Sequence, residues 1–462
     1  MTIDLGSGSR RRLHVVGVGG PGMSAIAIVL AQMGHDVTGS DIRETEVLRG
    51  VREAGVRVVI GHDARLVADR EAVTFSSAIP RDNIELVAAR SAGLLVLTRA
   101  EMLASICARA SAVGVAGTHG KTTTSSLLRA MYSSSGTDVS FIIGGDVRDV
   151  GSGAAWTGSD RLVVEADESD GTHLLLPLDA AIVTNVDVDH LDHFETFENI
   201  ASSFSEFVAG VRGPTVLCAD DPVLRRIARP TSTTYGTADA DADVDADVVW
   251  SDVSAGSGRT TFRVHGATFG SRTVSIPLRG LHNVSNTTGA LALASATGVD
   301  IDRAIESIEH FAGVGRRFDV IGSADGATFV DDYAHLPREI AAVLAAARDE
   351  WSRVVAVFQP NRFNRMAVMS EEYADSFVDA DLVIVTDIYS SGTRPIEGVT
   401  GELVVDAIRR RHPRAEVRWV PRRSDLAGAV DALVEPGDVC ISMGCGDIET
   451  LPREILALRH GS

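Results

Sequence analysis

The chain has 462 residues, 63 of them acidic against 43 basic, for a formal charge of −20, with 45% hydrophobic and 23% charged residues. This length exceeds one ordinary core and suits two to four domains, and the composition is that of a globular chain, not a disordered one. The net charge argues against nucleic acid or an anionic membrane as partner, since both need positive surfaces, while phosphates held by local N–H groups stay admissible.

The first predicted element is a strand at "RRLHVV", running through the glycine loop "GVGGPGMS" into a helix. A basic start before an apolar run mimics a signal peptide, but the glycine cluster and the polar "AQMGHD" beyond it fit strand–turn–helix better. Gly17, Gly19 and Gly22 satisfy G-x-G-x-x-G, and Asp41 ends the next strand 19 residues after Gly22. That is the spacing of a dinucleotide fingerprint. Its physics requires only a diphosphate beside a helix N-terminus, which a UDP-sugar supplies as well as a nicotinamide dinucleotide does.

A second strand–loop–helix start follows at "AVGVAGTHGKTTTSSLL". The common phosphate-loop pattern asks for a glycine at 115, where Val115 stands. The shortened loop Gly117-Thr118-His119-Gly120-Lys121-Thr122-Thr123 still offers N–H groups at a helix start, a cation for phosphate oxygens, and Thr122 as a magnesium ligand. Lys121 is the one lysine among the 43 basic residues. In an arginine-rich background, its survival inside the loop points to a site where a compact ammonium fits and a planar guanidinium does not. Binding of a nucleoside triphosphate is expected.

Downstream strands end in acidic groups. "RLVVEADESD" places Glu165 where a metal-holding carboxylate follows a phosphate loop, and "AAIVTNVDVDHLDHF" ends in Asn185, Asp187, Asp189, His190, Asp192 and His193. An oxygen-rich set working with phosphates favours magnesium over zinc. The Asp/Ala alternation at 237–249 reads as an acidic solvated loop, because alternation along a strand does not converge carboxylates. "TTFRVHG" and "RTVSIPLRG" read as antiparallel strands, so the middle sheet is expected to be mixed. "GLHNVSNTTGALALASA" opens a helix with His282, Asn283 and Asn286, candidates for adenine recognition.

The last third starts again as strand–loop–helix at "GATFVDDYAHLPREI" and continues with strands at "RVVAVFQP", "DLVIVTD", "EVRWVP" and "GDVCISMG", a doubly wound pattern. Arg316 or Arg317 stands at the domain joint as a phosphate clamp, Asp332 and His335 lie at a strand end, and Arg362 and Arg365 suit a substrate carboxylate. Cys107, Cys218, Cys440 and Cys445 are scattered, without a zinc-type set, and read as reduced thiols.

Taken in order, "GVGGPGMSAIA", "GTHGKTTT", "EADESD", "VTNVDVDHLD", "GLHNVSN", "GRRFD" and "DDYAHLP" resemble the motifs of the Mur ligases over nearly the whole chain. The resemblance implies an α/β fold of three domains: a Rossmann-like UDP-sugar domain (1–109), a central ATP domain with the shortened phosphate loop and a mixed sheet (110–314), and a Rossmann-like amino-acid domain (315–462). For the UDP-sugar it implies Gly17, Gly19, Gly20, Gly22, Met23, Ser24, Asp41, Ser76 and Ser77. For ATP it implies Gly117 to Thr123 with His282, Asn283, Asn286, Arg317, Asp332 and His335, and for Mg²⁺ it implies Thr122, Glu165 and His190. Lys121, Glu165 and His190 would carry catalysis; Tyr333, Asn361, Arg362 and Arg365 would surround the amino acid.

The expected reaction is ATP-dependent ligation of L-alanine to UDP-N-acetylmuramate through an acyl phosphate, in peptidoglycan precursor synthesis, by a cytoplasmic monomer or homodimer. Several sister ligases carry a carbamylated lysine at the metal. With Lys121 as the sole lysine that device is closed, in keeping with the alanine-adding branch. Two departures bear on the amine: the family usually has two histidines where this chain has His335-Leu336 before Pro337, and a histidine where Asn361 stands. The rival readings are a recycling ligase that attaches a murein tripeptide, a non-catalytic UDP-sugar-binding protein, and a dehydrogenase, which would leave the second loop without a role.

Overall fold

The computed structural model describes residues 1–6, 8, 10–136, 138–238 and 246–460. The core of the acidic alternation, 239–245, lies outside the described residues. The chain forms three sheets, each drawn from one consecutive stretch.

The first stretch contains β1 (Arg12–Val16), α1 (Pro21–Gln32), β2 (Asp36–Asp41), α2 (Val47–Glu53), β3 (Arg57–Ile60), β4 (Ala72–Phe75), α3 (Ile84–Ser91), β5 (Leu95–Thr98) and α4 (Arg99–Cys107). Its strand order is β3-β2-β1-β4-β5, all parallel. The order reverses at β1, so the loop leaving β1 opens into the crevice where such sheets take ligands. The basic and apolar N-terminal run is therefore β1 followed by α1, as strand–turn–helix predicts. On one face Val16, Val67, Val73, Leu86 and Ala89 form the core.

The second stretch contains β6 (Ser111–Ala116), α5 (Lys121–Ser133), β7 (Ser140–Val147), β8 (Ser152–Ala155), β9 (Arg161–Glu165), β10 (Ala180–Val183), α6 (Leu191–Phe194), α7 (Phe197–Gly210), β11 (Thr215–Cys218), α8 (Pro222–Ile227), β12 (Thr233–Thr237), β13 (Val248–Gly256), β14 (Arg259–Gly266), β15 (Gly270–Ile276), α9 (Leu281–Ala296) and α10 (Ile301–Ile308). The sheet order is β15-β14-β13-β12-β11-β10-β6-β9-β7-β8. β6 pairs in parallel with both β10 and β9, while β7 and β8 pair antiparallel, so the sheet is mixed as expected. The two acidic strand ends thus flank the phosphate loop, one from each neighbouring strand.

The third stretch contains β16 (Asp319–Ala324), β17 (Ala327–Asp332), α11 (Pro337–Arg348), β18 (Val354–Phe358), α12 (Phe363–Met369), β19 (Leu382–Val385), α13 (Glu402–Arg411), β20 (Val417–Trp419), α14 (Arg423–Asp431), β21 (Val439–Met443) and α15 (Leu451–His460). Its order is β16-β17-β21-β18-β19-β20, parallel except for β16 against β17. β18 is buried along its whole length, as a central parallel strand covered on both faces must be.

The chain divides into two compact units: residues 1–251, 263–274 and 285–312 form the first, and residues 252–262, 275–284 and 313–462 form the second. Within the first unit the opening sheet domain and the middle domain meet directly. The Trp156 amide donates to Gln32 Oε1 at 2.7 Å, and Arg99 reaches the acidic loop after β9. No described helix is long and apolar enough to cross a membrane. All four cysteines are free thiols, and burial pushes those of Cys107 and Cys440 up to about 12.

Candidate active site

In the first unit, the loop after β1 is built by backbone geometry. Gly17 turns at φ +76°, and the amides of Gly17 and Val18 both donate to the Ser40 carbonyl, at 2.8 and 3.0 Å. Asp41 folds back over this loop: Oδ2 accepts from the Gly19 amide at 2.8 Å, and Oδ1 accepts from Arg43 N at 3.2 Å. A Cβ on Gly19 would stand 2.9 Å from that Oδ2, so a side chain there would displace the Asp41 carboxylate. Asp41 thus shapes the loop that the dinucleotide spacing pairs it with. Gly20 precedes α1, with the Met23 and Ser24 amides donating to its carbonyl at 3.0 and 2.8 Å. Met23 and Ser24 are buried; of the serines after β4, Ser76 is half-buried and Ser77 exposed.

The phosphate loop leaves β6 at Gly117 (φ +124°) and enters α5 from Gly120 (φ +82°). Both positions are closed to side chains: a Cβ on Gly117 would sit 2.1 Å from Thr184 Oγ1, and one on Gly120 2.5 Å from Asn286 Oδ1. Asn286 of α9 therefore packs over the loop. Between the glycines the backbone is pinned by the end of β10. Asn185 Oδ1 accepts from the His119 amide at 2.8 Å, its Nδ2 donates to the His119 carbonyl at 3.0 Å, and its own carbonyl accepts from Thr118 N at 3.1 Å. Thr184 Oγ1 donates to the His119 carbonyl at 2.6 Å, and Asp187 N donates to Thr118 Oγ1 at 2.9 Å. The His119 ring lies 2.9 Å from Asp187 Oδ2, so its side chain faces the β10 end. The motif read as a row of metal carboxylates serves here, in part, as a clamp on the loop.

Lys121 Nζ donates to the Gly117 carbonyl at 2.7 Å and stands 2.9 Å from both carboxylate oxygens of Glu168. Burial alone would lower the ammonium's pKa, but the carboxylates of Glu168, Asp167 and Glu165 outweigh it and raise it, so the cation is held charged. Asp167 is held well below the usual carboxylate range: burial opposes this, but Lys121 and Arg99 win. Thr122 and Thr123 are buried at the start of α5. Glu165 lies against Gly144, where a Cβ would be 2.7 Å from its Oε2. His190 takes a left-handed backbone (φ +53°) and its ring Nε2 lies 3.2 Å from Asp189 Oδ2. Among the described residues, no group of three or more His, Cys, Asp or Glu side chains is arranged to hold a metal.

A cavity of about 570 Å³ opens between the first two domains of this unit. Gly22 and Arg99 line one wall; Glu165 and Asp167 line another, with Gly144, Gly145 and Ser152 from the β7–β8 hairpin. The cavity brings the first glycine loop's helix and the carboxylate beyond the phosphate loop to one space. Sequence reasoning missed Arg99, Asp167 and Glu168. The one signal was that "EADESD" carries more carboxylates than a single metal ligand requires.

In the second unit, His282 and Asn283 stand at the start of α9, which begins at Leu281, so Asn283 is inside the helix and does not cap it. Asn283 Nδ2 donates to the Arg279 carbonyl at 2.8 Å. Burial, helped by Arg317, lowers the His282 imidazole to about 4, which makes it neutral at pH 7. Asp332 is buried and fully engaged at both oxygens, accepting from Phe318 N at 2.6 Å and Ala334 N at 2.7 Å. Arg316 is held by Asp331 (3.0 Å), Glu449 (2.8 Å) and the Gly444 carbonyl (2.7 Å), and both arginines lie over the Tyr333 ring, Arg316 at 5.0 Å and Arg317 at 5.1 Å; burial raises the Asp332 carboxyl, and Arg317 only partly opposes it. Burial, only partly offset by Arg316, pushes Asp331 up to about 6. His335 Nδ1 lies 3.1 Å from the Tyr333 carbonyl.

After β18, Asn361 is buried and its Oδ1 accepts from Arg365 Nη1 at 2.8 Å. Arg362 holds a left-handed backbone (φ +62°), its amide bonded to the Tyr389 carbonyl at 2.9 Å. Arg316, Arg362 and Arg365 all act electrostatically on Cys445, so Tyr333, these arginines and that thiol form one cluster. Asn361 thus orients the Arg365 guanidinium.

Two nucleotide-type loops open consecutive α/β domains, and a third doubly wound domain follows them in the chain; this is the domain order of a ligase, and the chain belongs to the Mur ligase family. Family models match it as "Mur ligase family, catalytic domain" over residues 12–111, "Mur ligase middle domain" over 115–294 and "Mur ligase, glutamate ligase domain" over 316–446. It is 43% identical to the UDP-N-acetylmuramate–L-alanine ligase of Bradyrhizobium sp. (strain ORS 278), covering 96% of this chain and 98% of that one. It is 41% identical to the protein of the same name from Rubrobacter xylanophilus, covering 96% and 99%. Among solved structures it is similar to the UDP-N-acetylmuramate-alanine ligase MurC of Thermotoga maritima, with a TM-score of 0.82 at 25% identity over 98% of this chain and 99% of that one. The murein peptide ligase of Psychrobacter arcticus shares the fold, with a TM-score of 0.70 at 23% identity over 97% and 98%.

Proposed function

We propose that the chain is an ATP-dependent ligase joining L-alanine to the carboxylate of UDP-N-acetylmuramate, in peptidoglycan precursor synthesis in the cytoplasm. The observation that carries this reading is the cavity shared by Gly22, Arg99, Glu165 and Asp167, which lets a substrate anchored at the first glycine loop present a carboxylate beside the phosphate loop. The curated relatives, similar over their whole length, supply the identity of the sugar and of the amine.

A carboxylate does not condense with an amine at neutral pH, because oxide is the leaving group. In the proposed reaction a carboxylate oxygen attacks the γ-phosphorus of ATP and the bond to the β-phosphate oxygen breaks, giving an acyl phosphate and ADP. The alanine nitrogen then attacks the acyl carbon, the carbon–oxygen bond to phosphate breaks, and the nitrogen loses its proton as the amide forms. Lys121, held charged by its carboxylate neighbours, offsets the repulsion between carboxylate and triphosphate. The amides of Gly120 to Thr123, at the start of α5, would hold phosphate oxygens, the Thr118 and His119 amides being engaged by Asn185.

Thr122, Glu165 and His190 would hold magnesium, Thr122 and Glu165 offering the hydroxyl and carboxylate oxygens that this ion takes together with substrate phosphates. When bound, magnesium supplies further charge neutralisation. Asn286, packed over Gly120, with His282, Asn283, Arg317, Asp332 and His335, would contact the nucleotide. Neutral His282 would act as a hydrogen-bonding and stacking group, and Asp332, with both oxygens already accepting, would act mainly by fixing the 318 and 334 backbone. Arg362 and the Asn361-oriented Arg365, with Tyr333, would hold the alanine carboxylate and leave its amine free.

Phosphate release from ATP and Mg²⁺ with UDP-N-acetylmuramate tests the reading, comparing L-alanine, glycine, L-serine and the murein tripeptide. Release that needs both the UDP-sugar and L-alanine is expected. Release with the tripeptide alone would move the chain to recycling, and silence with every amine would leave only sugar binding.

A further inference from the structure

Arg99 is the first helical residue of α4, and its place is fixed by a reciprocal cap: Thr98 Oγ1 accepts from the Glu101 amide at 3.2 Å and Glu101 Oε2 accepts from the Thr98 amide at 2.9 Å. From there its guanidinium divides between two loops. Nη2 lies 3.0 Å from Asp167 Oδ2, 2.9 Å from Asp170 Oδ2 and 3.4 Å from Thr172 Oγ1, all in the acidic loop after β9. Nη1 lies against Gly22 at the start of α1, where a Cβ would come within 3.1 Å of it. The same acidic loop carries Glu168, both oxygens of which hold Lys121 Nζ, and its Asp167 also acts on Lys121. Arg99, against the start of α1, and Lys121 of the phosphate loop are therefore held by carboxylates of one short loop, Asp167 and Asp170 on the first and Glu168 on the second, with Asp167 acting on both, all inside the first unit.

We propose that Arg99 is a positioning residue that couples the two nucleotide loops: an anion of the UDP-sugar entering the cavity at Gly22 draws on the guanidinium, shifts its hold on Asp167 and Asp170, and so changes how firmly Glu168 retains Lys121. This rests on the ligase reading above and goes beyond it. A guanidinium suits this place because its two terminal nitrogens face different loops, Nη2 the acidic loop after β9 and Nη1 the start of α1, which the single nitrogen of an ammonium cannot do. Since coupling between two bound ligands is reciprocal, either ligand can report it.

The test is calorimetric binding of a non-hydrolysable ATP analogue with Mg²⁺, in the absence and presence of saturating UDP-N-acetylmuramate, and the reverse titration. In the wild type the two affinities should differ by a common factor of roughly five or more. In Arg99→Met, and in Arg99→Lys should the Met variant fold poorly, the factor should fall towards one while the analogue alone still binds; Asp170→Asn should lower it partway. A factor of one in the wild type, or an unchanged factor in both Arg99 variants, overturns the role of Arg99. Absence of UDP-N-acetylmuramate binding to the wild type overturns the ligase reading itself, and the two failures are thus told apart.

Discussion

Lys121 and Glu168 form an almost symmetrical ion pair, each carboxylate oxygen 2.9 Å from the ammonium, with Glu168 2% exposed. The sole lysine of the chain is thereby both the candidate phosphate ligand and the countercharge of a buried carboxylate. The two duties set different tolerances to substitution.

Lys121→Arg keeps the charge but replaces a compact group between the Gly117 carbonyl and Glu168 with a planar fork. Turnover should fall about 100-fold or more, the scale of losing one aimed charge in a transition state. Lys121→Met should in addition lower unfolding free energy by about 3 kcal/mol, because it leaves Glu168 buried and unpaired. Steady-state phosphate release and denaturant titration read the two effects separately; near-normal turnover of the Arg variant would count against the proposed chemistry.

Asn185 makes three contacts to Thr118 and His119, two of them from its side chain. Asn185→Ala should leave the fold intact but loosen the loop, raising KM for ATP about tenfold, since two hydrogen bonds are worth on the order of 1–3 kcal/mol. KM for UDP-N-acetylmuramate should move much less. An unchanged KM for ATP would show that the loop is held without this clamp.

Two glycines should respond in opposite directions. Gly117→Ala puts a Cβ at a φ of +124° and 2.1 Å from Thr184 Oγ1, and should cost several kcal/mol, the scale of backbone strain plus a clash. Gly428→Ala, on the exposed side of α14 with nothing within 4 Å of the new Cβ, should stabilise by about 0.5–1 kcal/mol. Thermal melts of the two variants against wild type decide both.

Burial lowers His173 and His282 from 6.5 to about 4. Between those values the unfolded chain binds protons that the folded chain refuses, so each histidine removes stability as pH falls from about 6.5 to 4. Asp331, raised by burial from 3.8 to about 6, works the other way: the folded chain binds its proton first, so that contribution is lost as pH rises through 6. With two histidines against one aspartate, these groups together should make the protein less stable at pH 5 than at pH 7, by a few kcal/mol at most. Urea titrations at the two pH values give the difference, and histidine proton shifts should show two imidazoles still neutral at pH 5.

Much of the architecture was legible because its signals are local. Alternating β-branched runs and helical stretches gave the parallel sheets, and the three strand–loop–helix starts fall on β1–α1, β6–α5 and β17–α11. Strand-end spacing placed Asp41 beside the first glycine loop, but it does not say that the carboxylate turns back onto the Gly19 amide. His282, Asn283 and Asn286 stand together on one helix turn in sequence; the fold adds that Asn286 comes against Gly120 of the phosphate loop and that His282 feels the charge of Arg317.

What the sequence alone determined is the backbone of the phosphate-loop motif. Two glycines at positive φ, a lysine and a threonine lie within six consecutive residues, and short-range sterics are enough to fold them into an anion cradle at a helix start. What only the tertiary structure decided is which groups face that cradle. Lys121 meets Glu168 across 47 residues, His119 meets Asn185 across 66, and Arg99 meets Asp167 across 68. The first two meetings exist because β6 lies between β10 and β9, and the third because the first domain packs on the second. Such adjacency follows from how whole sheets bury their faces, and no local periodicity encodes it.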